Sequence, residues 1–267
     1  MMLPCGAAIT RPHRAPITRS RRAAMTWPRS AAALRLAVPL LFCAACTKRP
    51  AAPILNFHAV GDGDGFAVPL ETFRAELDAL RGFRAIPLHE LLRGPPPQRA
   101  VVLTFDDGTE DAVSVVLPEL VKRKLTATFF ITTGFIADDE AHRHVEEGVR
   151  YLIWPEVLAL RSAGMEIGSH TIDHARLPDL EDARIREELV QSKRVLEEHL
   201  QAPVDLFAYP YNSVRGKARA AVIAAGYSAA VAGEVHGSDD RFQLYRISVQ
   251  RGTTVAELQQ KLERWAR

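Results

Sequence analysis

No cysteine occurs after residue 46 of this 267-residue chain; the three present are Cys5, Cys43 and Cys46. Residues 51–267 therefore hold no disulfide and no thiolate metal site. Acidic side chains are missing from the start in a similar way. The first is Asp62, whereas nine of the 34 Lys and Arg residues lie within residues 1–50. Residues 51–267 are left with 25 basic against 32 acidic side chains, a formal charge of −7 that the overall +2 conceals. A body of that sign lacks the phosphate-neutralising excess that nonspecific nucleic-acid binding needs. Aromatic residues are sparse, at 7%. The apolar stretch of the leading segment is short and interrupted by Arg35 and Pro39, which argues against a transmembrane helix. No repeat of 20–50 residues is visible.

What the leading segment does contain reads as an export signal. From Met25, "MTWPRSAAALRLAVPLLFCAACTKRP" has a basic start, a short apolar stretch and small residues before Cys46. "CAAC", ending at Cys46, resembles a bacterial lipobox, whose cysteine is lipidated and becomes the mature N-terminus. Cys43 stands where that pattern usually has Leu. "SRRAAM", Ser20–Met25, faintly resembles a twin-arginine signal, and Met25 is an alternative start. The expected organisation is a leader over 1–50 and one domain over 51–267. The protein is then bacterial and exported: periplasmic, on the outer surface, or anchored to a membrane through lipidated Cys46.

With 47% apolar and 25% charged residues the body can bury a substantial core. "ILNFHAV", "FRAIPL", "AVVLTF", "ATFFIT", "GMEIGSH", "VDLFAYP", "YSAAVA" and "LYRISVQ" read as strands. Between them lie amphipathic segments, including "LETFRAELDALRGF", a helix at about 111–124, one starting at Trp154, a long one over 181–200 and a closing one in "TVAELQQKLERW". The long helix carries Ile185, Leu189, Leu196 and Leu200 on one face; its charge-rich opposite face reads as a solvated surface. Alternation of strands and helices indicates a parallel α/β architecture. In such folds reactive groups gather at the carboxyl ends of strands. His58, the Asp106–Asp107 pair, His170 and the Tyr209–Tyr211 stretch each stand at such an end.

"SHTIDH" places His170 and His174 four residues apart, a spacing that brings both imidazoles to one side of a turn. With one carboxylate they make a two-His, one-carboxylate set with open positions for a divalent metal. Alone, such a His pair is common by chance, and Asp-Asp-Gly is an ordinary turn sequence. Together at strand ends they point to a site in which the two acids take separate roles. Asp107 would be the third ligand and Asp106 a base for water acidified by the metal.

"TFDDG", "SHTIDH" and "FAYPYN" resemble the first three motifs of the NodB-homology polysaccharide deacetylases, carbohydrate esterase family 4. The resemblance spans about 54–250, and "ILNFHAV", the Phe73–Gly82 helix and "ATFFIT" are most similar to the biofilm poly-N-acetylglucosamine deacetylase branch. It implies a distorted (β/α)₇ barrel that removes N-acetyl groups from a polysaccharide of the cell envelope or extracellular matrix. It also implies a divalent metal, usually Zn²⁺ with Co²⁺ or Ni²⁺ as alternatives, held by Asp107, His170 and His174. Asp106 would be the general base. Tyr211 would offer its backbone N–H to an oxyanion, and Tyr209, Pro210 and Asn212 would lie on the substrate side.

Three departures stand out. Ala208 replaces the arginine that braces the catalytic Asp in many members. Asn212 replaces a glycine, although Asn also tolerates left-handed geometry. The late Leu-x-His motif that supplies an acid corresponds to "LYRISV", without histidine, which leaves His58, the one other strand-end histidine, as the candidate acid or substrate ligand. Trp154, Tyr209 and Phe135 are candidates for a sugar platform, with core packing as the alternative. Rival readings are an O-acetyl esterase using the same site and an inactive glycan-binding module. A non-haem iron oxygenase gives Asp106 no role, and a haloacid-dehalogenase phosphatase needs Asp-x-Asp.

Overall fold

The computed structural model describes residues 50–62 and 66–265, so the leader with Cys46 lies outside the described residues. The strands are β1 (Ile54–Phe57), β2 (Arg84–Ala85), β3 (Ala100–Phe105), β4 (Thr128–Ile131), β5 (Val145–Glu146), β6 (Val149–Arg150), β7 (Glu166–Ser169), β8 (Leu206–Ala208), β9 (Ala229–Val231) and β10 (Ile247–Ser248). The helices are α1 (Leu70–Ala79), α2 (Leu88–Arg93), α3 (Leu117–Arg123), α4 (Trp154–Ser162), α5 (Asp182–Leu200), α6 (Ala218–Ala224) and α7 (Val255–Glu263). None of the described helices is long and apolar enough to cross a membrane.

The main sheet runs β10-β1-β3-β4-β7-β8-β9 with every neighbouring pair parallel, and β2 lies beside the foot of β3. The stretch 244–248 joins its two ends. Leu244 bridges to Val231 of β9, and three residues later Ile247 pairs with Leu55 of β1. The sheet is thereby curled into the distorted seven-stranded barrel that the sequence motifs imply. Only β5 and β6 stand apart, as an antiparallel hairpin.

Strand alternation sorts the buried side chains into two layers. Ile54, Val102, Phe130, Leu206, Val231 and Leu244 point inward and pack on Ile86, Leu88 and Leu91, so that α2 plugs the floor of the barrel. Glu166 fixes this plug. Its carboxylate accepts the Leu88 N–H at 3.0 Å and the Thr128 hydroxyl at 2.7 Å, and lies 2.6 Å from Nδ1 of His89. The outward residues form the second layer, beneath α1, α3, α4 and α7. Phe57, Phe105 and Phe129, in direct register, stack at centroid separations of 5.1 and 5.0 Å, and Phe73 of α1 meets the first two edge-on. This aromatic ladder sets the heights at which His58 and Asp106, the residues next in the chain, emerge at the mouth.

The helix expected over 111–124 begins differently. A π-helical turn, Ala112–Val116, precedes α3, and left-handed Lys124 (φ 57°) ends it. Such turns frequently lie beside functional sites, and this one begins at Ala112, shortly after the acid pair.

Candidate active site

Two strand ends supply the cluster at the carboxyl mouth. β3 leads into Asp106 and Asp107, β7 into His170 and, four residues on, His174. Nε2 of each imidazole lies 3.4 Å from Oδ1 of Asp107. That separation is long for a good hydrogen bond, and Oδ1 is buried without a hydrogen-bond partner. It does match what a shared ion requires. Metal–ligand distances of about 2.0–2.2 Å put neighbouring tetrahedral donors roughly 3.3–3.6 Å apart. All three donor atoms lie within 4.8 Å of one another, and this trio is the one such set among the described residues.

The second ring nitrogen of His170 settles its orientation. Nδ1 donates to the Ala208 carbonyl at 2.8 Å, which leaves Nε2 as the nitrogen facing Asp107, free to become a metal donor once unprotonated. His174 is held neutral: burial, reinforced by the neighbouring His170, pushes its pKa down to about 4. Burial acts the same way on His170, but Asp107 and Asp106 outweigh it and raise that pKa. For Asp107, burial favours the neutral form, and His170, His58 and His174 overcome it, holding the carboxyl well below the usual carboxylate range. Two imidazoles and one ionised carboxylate are a donor set suited to Zn²⁺ or a similar divalent ion.

Asp106 faces the other way. Its two oxygens accept a bidentate pair from Arg246, at 2.8 Å from Nη1 and 2.7 Å from Nη2. Arg246 is wholly buried and Asp106 nearly so. The other guanidinium contacts are equally specific: Nε donates to the Ala232 carbonyl at 2.9 Å, Nη1 to Thr104 Oγ1 and Nη2 to Asn212 Oδ1, both at 3.1 Å. The arginine missing at Ala208 is thus supplied by the strand "LYRISV", across the barrel seam. Burial alone would raise the Asp106 pKa, but the Arg246 charge holds it below the ordinary value.

Backbone strain concentrates here. Asp107, Thr171, His174, Tyr211 and Asn212 have φ between 53° and 74°, the left-handed region that costs a non-glycine residue about 1–3 kcal/mol. Asn212 therefore does adopt the left-handed geometry of the glycine it replaces. Gly233 makes room for it, since a Cβ at 233 would come within 2.6 Å of the Asn212 side chain.

His58 is half-buried beside the cluster, and its Nδ1 is buried without a hydrogen-bond partner. Tyr211 lies over His174, ring centroids 4.6 Å apart, and is 60% exposed. Two residues expected on the substrate side, Tyr209 and Pro210, are buried instead. Tyr209 is fully buried on the outward face of β8, with its hydroxyl donating to the Phe242 carbonyl, and Pro210 beside it is buried. Asn212 gives its Oδ1 to Arg246 and, half-buried, also lines the groove beside Tyr211. Trp154 is buried and stacks on His199, so it is no sugar platform. Phe135 stacks on His144 and meets Tyr151.

Fold and cluster together define a class: an α/β barrel with a three-donor constellation for one divalent ion and a braced carboxylate beside it. The polysaccharide deacetylase family pattern matches residues 93–230, just over half of the chain, and the chain belongs to that family. The Bacillus subtilis (strain 168) protein YxkH, which carries a polysaccharide deacetylase name, is 26% identical over 217 residues, 77% of this chain and 74% of that protein. A Staphylococcus aureus poly-β-1,6-N-acetyl-D-glucosamine N-deacetylase is 25% identical over 173 residues, 59% of this chain and 58% of that enzyme. Among solved structures, IcaB from Ammonifex degensii aligns with a TM-score of 0.69 at 23% identity, covering 82% of this chain and 99% of that one. Streptococcus pyogenes deacetylase PplD, in complex with acetate, gives 0.69 at 22% identity, covering 79% and 97%. At these identities the structural likeness speaks to the fold.

Proposed function

We propose that this protein hydrolyses N-acetyl groups on a polysaccharide of N-acetylhexosamine units, using one divalent metal ion. The observation that carries the reading is the pairing of two unlike carboxylates, Asp106 locked onto Arg246 and Asp107 with a bare oxygen facing two imidazoles. The names of the Staphylococcus aureus relative and of the family support the substrate class.

Asp107, His170 and His174 would hold the ion, Zn²⁺ by the donor set. When bound, it supplies Lewis-acid polarisation of the acetyl carbonyl and acidifies water at the site. Asp106 would take the proton of the water that attacks the carbonyl carbon. Arg246 keeps this carboxylate ionised and aimed, and blocks rotation that would spoil its geometry. The backbone N–H of Tyr211 donates to the developing oxyanion. His58 donates a proton to the amine nitrogen as the C–N bond breaks, so acetate and a free amine leave. Its half-buried position beside the acids and its bare Nδ1 support that role.

A groove of about 460 Å³ runs outward from Tyr211 past Glu234, Val235, His236, Gln250 and Lys261. Its mixed lining suits neutral sugar units flanking the one that reacts. The leader sequence supports export, and lipidation of Cys46 would tether the enzyme to the envelope where such polymers lie.

The test is acetate release from β-1,6- and β-1,4-linked N-acetylglucosamine oligomers and from O-acetylated xylan, by metal-loaded protein. Release from an amide substrate, lost in Asp106→Asn, is expected; the base removed is worth about 10²–10⁴-fold. Ester cleavage alone would make this an O-acetyl esterase. Metal binding without any release would leave a glycan-binding module.

A further inference from the structure

Between the two ligand histidines lies a three-residue loop, Thr171, Ile172 and Asp173, and helix α5 runs beside it. Arg184, Glu188 and Ser192 recur on α5 at four-residue spacing, so they form one stripe along the helix. Each touches a successive part of the ligand segment. The Ser192 hydroxyl accepts from Ser169, the residue before His170, at 2.9 Å. Glu188 Oε2 accepts two consecutive backbone N–H groups, from Ile172 at 2.8 Å and Asp173 at 3.2 Å. Arg184 pairs with Glu188 Oε1 at 2.7 Å and with the Asp173 carboxylate. Glu188 and Ser192 are completely buried, unlike the solvated charges expected of that helix face.

The opposite side of the loop is held as well. Thr133 and Gly134 donate their N–H groups to the Thr171 and Ile172 carbonyls at 3.1 and 2.8 Å. A Cβ at Gly134 would stand 2.7 Å from the Ile172 oxygen, so the close approach needs glycine. Clamping from both sides explains how Thr171 and His174 keep left-handed backbones, at φ 69° and 53°.

We propose that the Arg184–Glu188–Ser192 stripe is a template for the metal-ligand loop, with Glu188 the positioning residue that sets affinity for the divalent ion. It touches neither the ion nor the substrate and acts through the spacing of His170 and His174. The inference rests on the metal reading above.

The test is binding of Zn²⁺, by chelator competition, and of Co²⁺, by visible absorption, to the full chain. Outer partners of metal ligands are worth about 10–100-fold in affinity. Glu188→Ala is expected to weaken Zn²⁺ binding by that factor and to alter the Co²⁺ spectrum, while the metal-free protein still unfolds cooperatively. Glu188→Gln, whose amide oxygen accepts a weaker bond, should lie between. Glu198→Ala, at the far exposed end of α5, should match the wild type. A folded Glu188→Ala or Glu188→Gln protein with wild-type affinity and spectrum overturns the template. If Glu188→Ala does not fold, Glu188→Gln decides by the same criterion. Wild-type protein that binds neither ion defeats the metal reading itself, and this inference with it.

Discussion

Arg246 and Asp106 neutralise each other inside the barrel, and removing either leaves the other charged and buried. Breaking such a pair costs about 3–5 kcal/mol. Arg246→Ala should therefore lower stability by that order in denaturant titration and abolish activity. Arg246→Lys keeps the charge but not the two-pronged grip, and a misplaced base should cost about 10²-fold in kcat/KM. The pH response follows from the direction of the Asp106 shift. Its folded pKa lies below the unfolded one, so its contribution to stability is present above the unfolded value and is lost as pH falls through the folded one. In Arg246→Met the largest charge opposing burial is gone, and the acid limb of the pH–rate profile should move upward; an unmoved limb would separate Arg246 from the group that titrates there. The convergence of the acid pair and the two histidines was legible because parallel sheets present polar groups at strand ends. Arg246 was not, since its partner lies 140 residues away. The signal was nevertheless there: alternation in "LYRISV" puts Arg246 on the face of Leu244, and an inward arginine demands a carboxylate. The same rule places Tyr209 with Phe207, outward, and would have withdrawn it from the substrate side.

Individual elements carry buried charges of their own. Glu76 on α1 is completely buried, both carboxylate oxygens lack a hydrogen-bond partner, and burial raises its pKa to about 7. A raised carboxyl pKa makes ionisation costly in the fold, so stability is full below the unfolded value of 4.5 and falls as pH rises through about 7. Glu76→Met should therefore stabilise by roughly 2 kcal/mol more at pH 8 than at pH 5. Equal gains at both would contradict the assignment. At the barrel floor, His89 lies 2.6 Å from Glu166 and 2.7 Å from Asp205, one carboxylate at each ring nitrogen. Both contacts are satisfied by imidazolium, and its pKa is raised, by Glu166 first. This clasp is complete below the unfolded histidine pKa and weakens as pH rises through the folded one. His89→Gln should lower the melting temperature at pH 6 more than at pH 9. The apolar face of α5 was readable from spacing, yet Glu188 was not, because periodicity reports which face is charged without saying what covers it.

At the scale of the whole molecule, one loop cluster at the barrel mouth gathers segments from both halves of the chain around a single point. The alternation of strands and helices and the motif spacings made that convergence foreseeable; the seam, where 244–248 closes the sheet, depends on pairing between distant segments. Ion binding should couple to folding, with a melting temperature that rises with Zn²⁺, since about 100-fold excess over Kd contributes about 2.7 kcal/mol. It should also weaken in acid, because His170 must lose its proton to become a ligand. The most direct measurement is calorimetric titration of Zn²⁺ into metal-free full-length protein and into Asp107→Ala, His170→Ala and His174→Ala. One ion per chain for the parent, with affinity lost in each variant, is the predicted result. Unchanged one-to-one binding in any of the three, or none in the parent, would contradict the site.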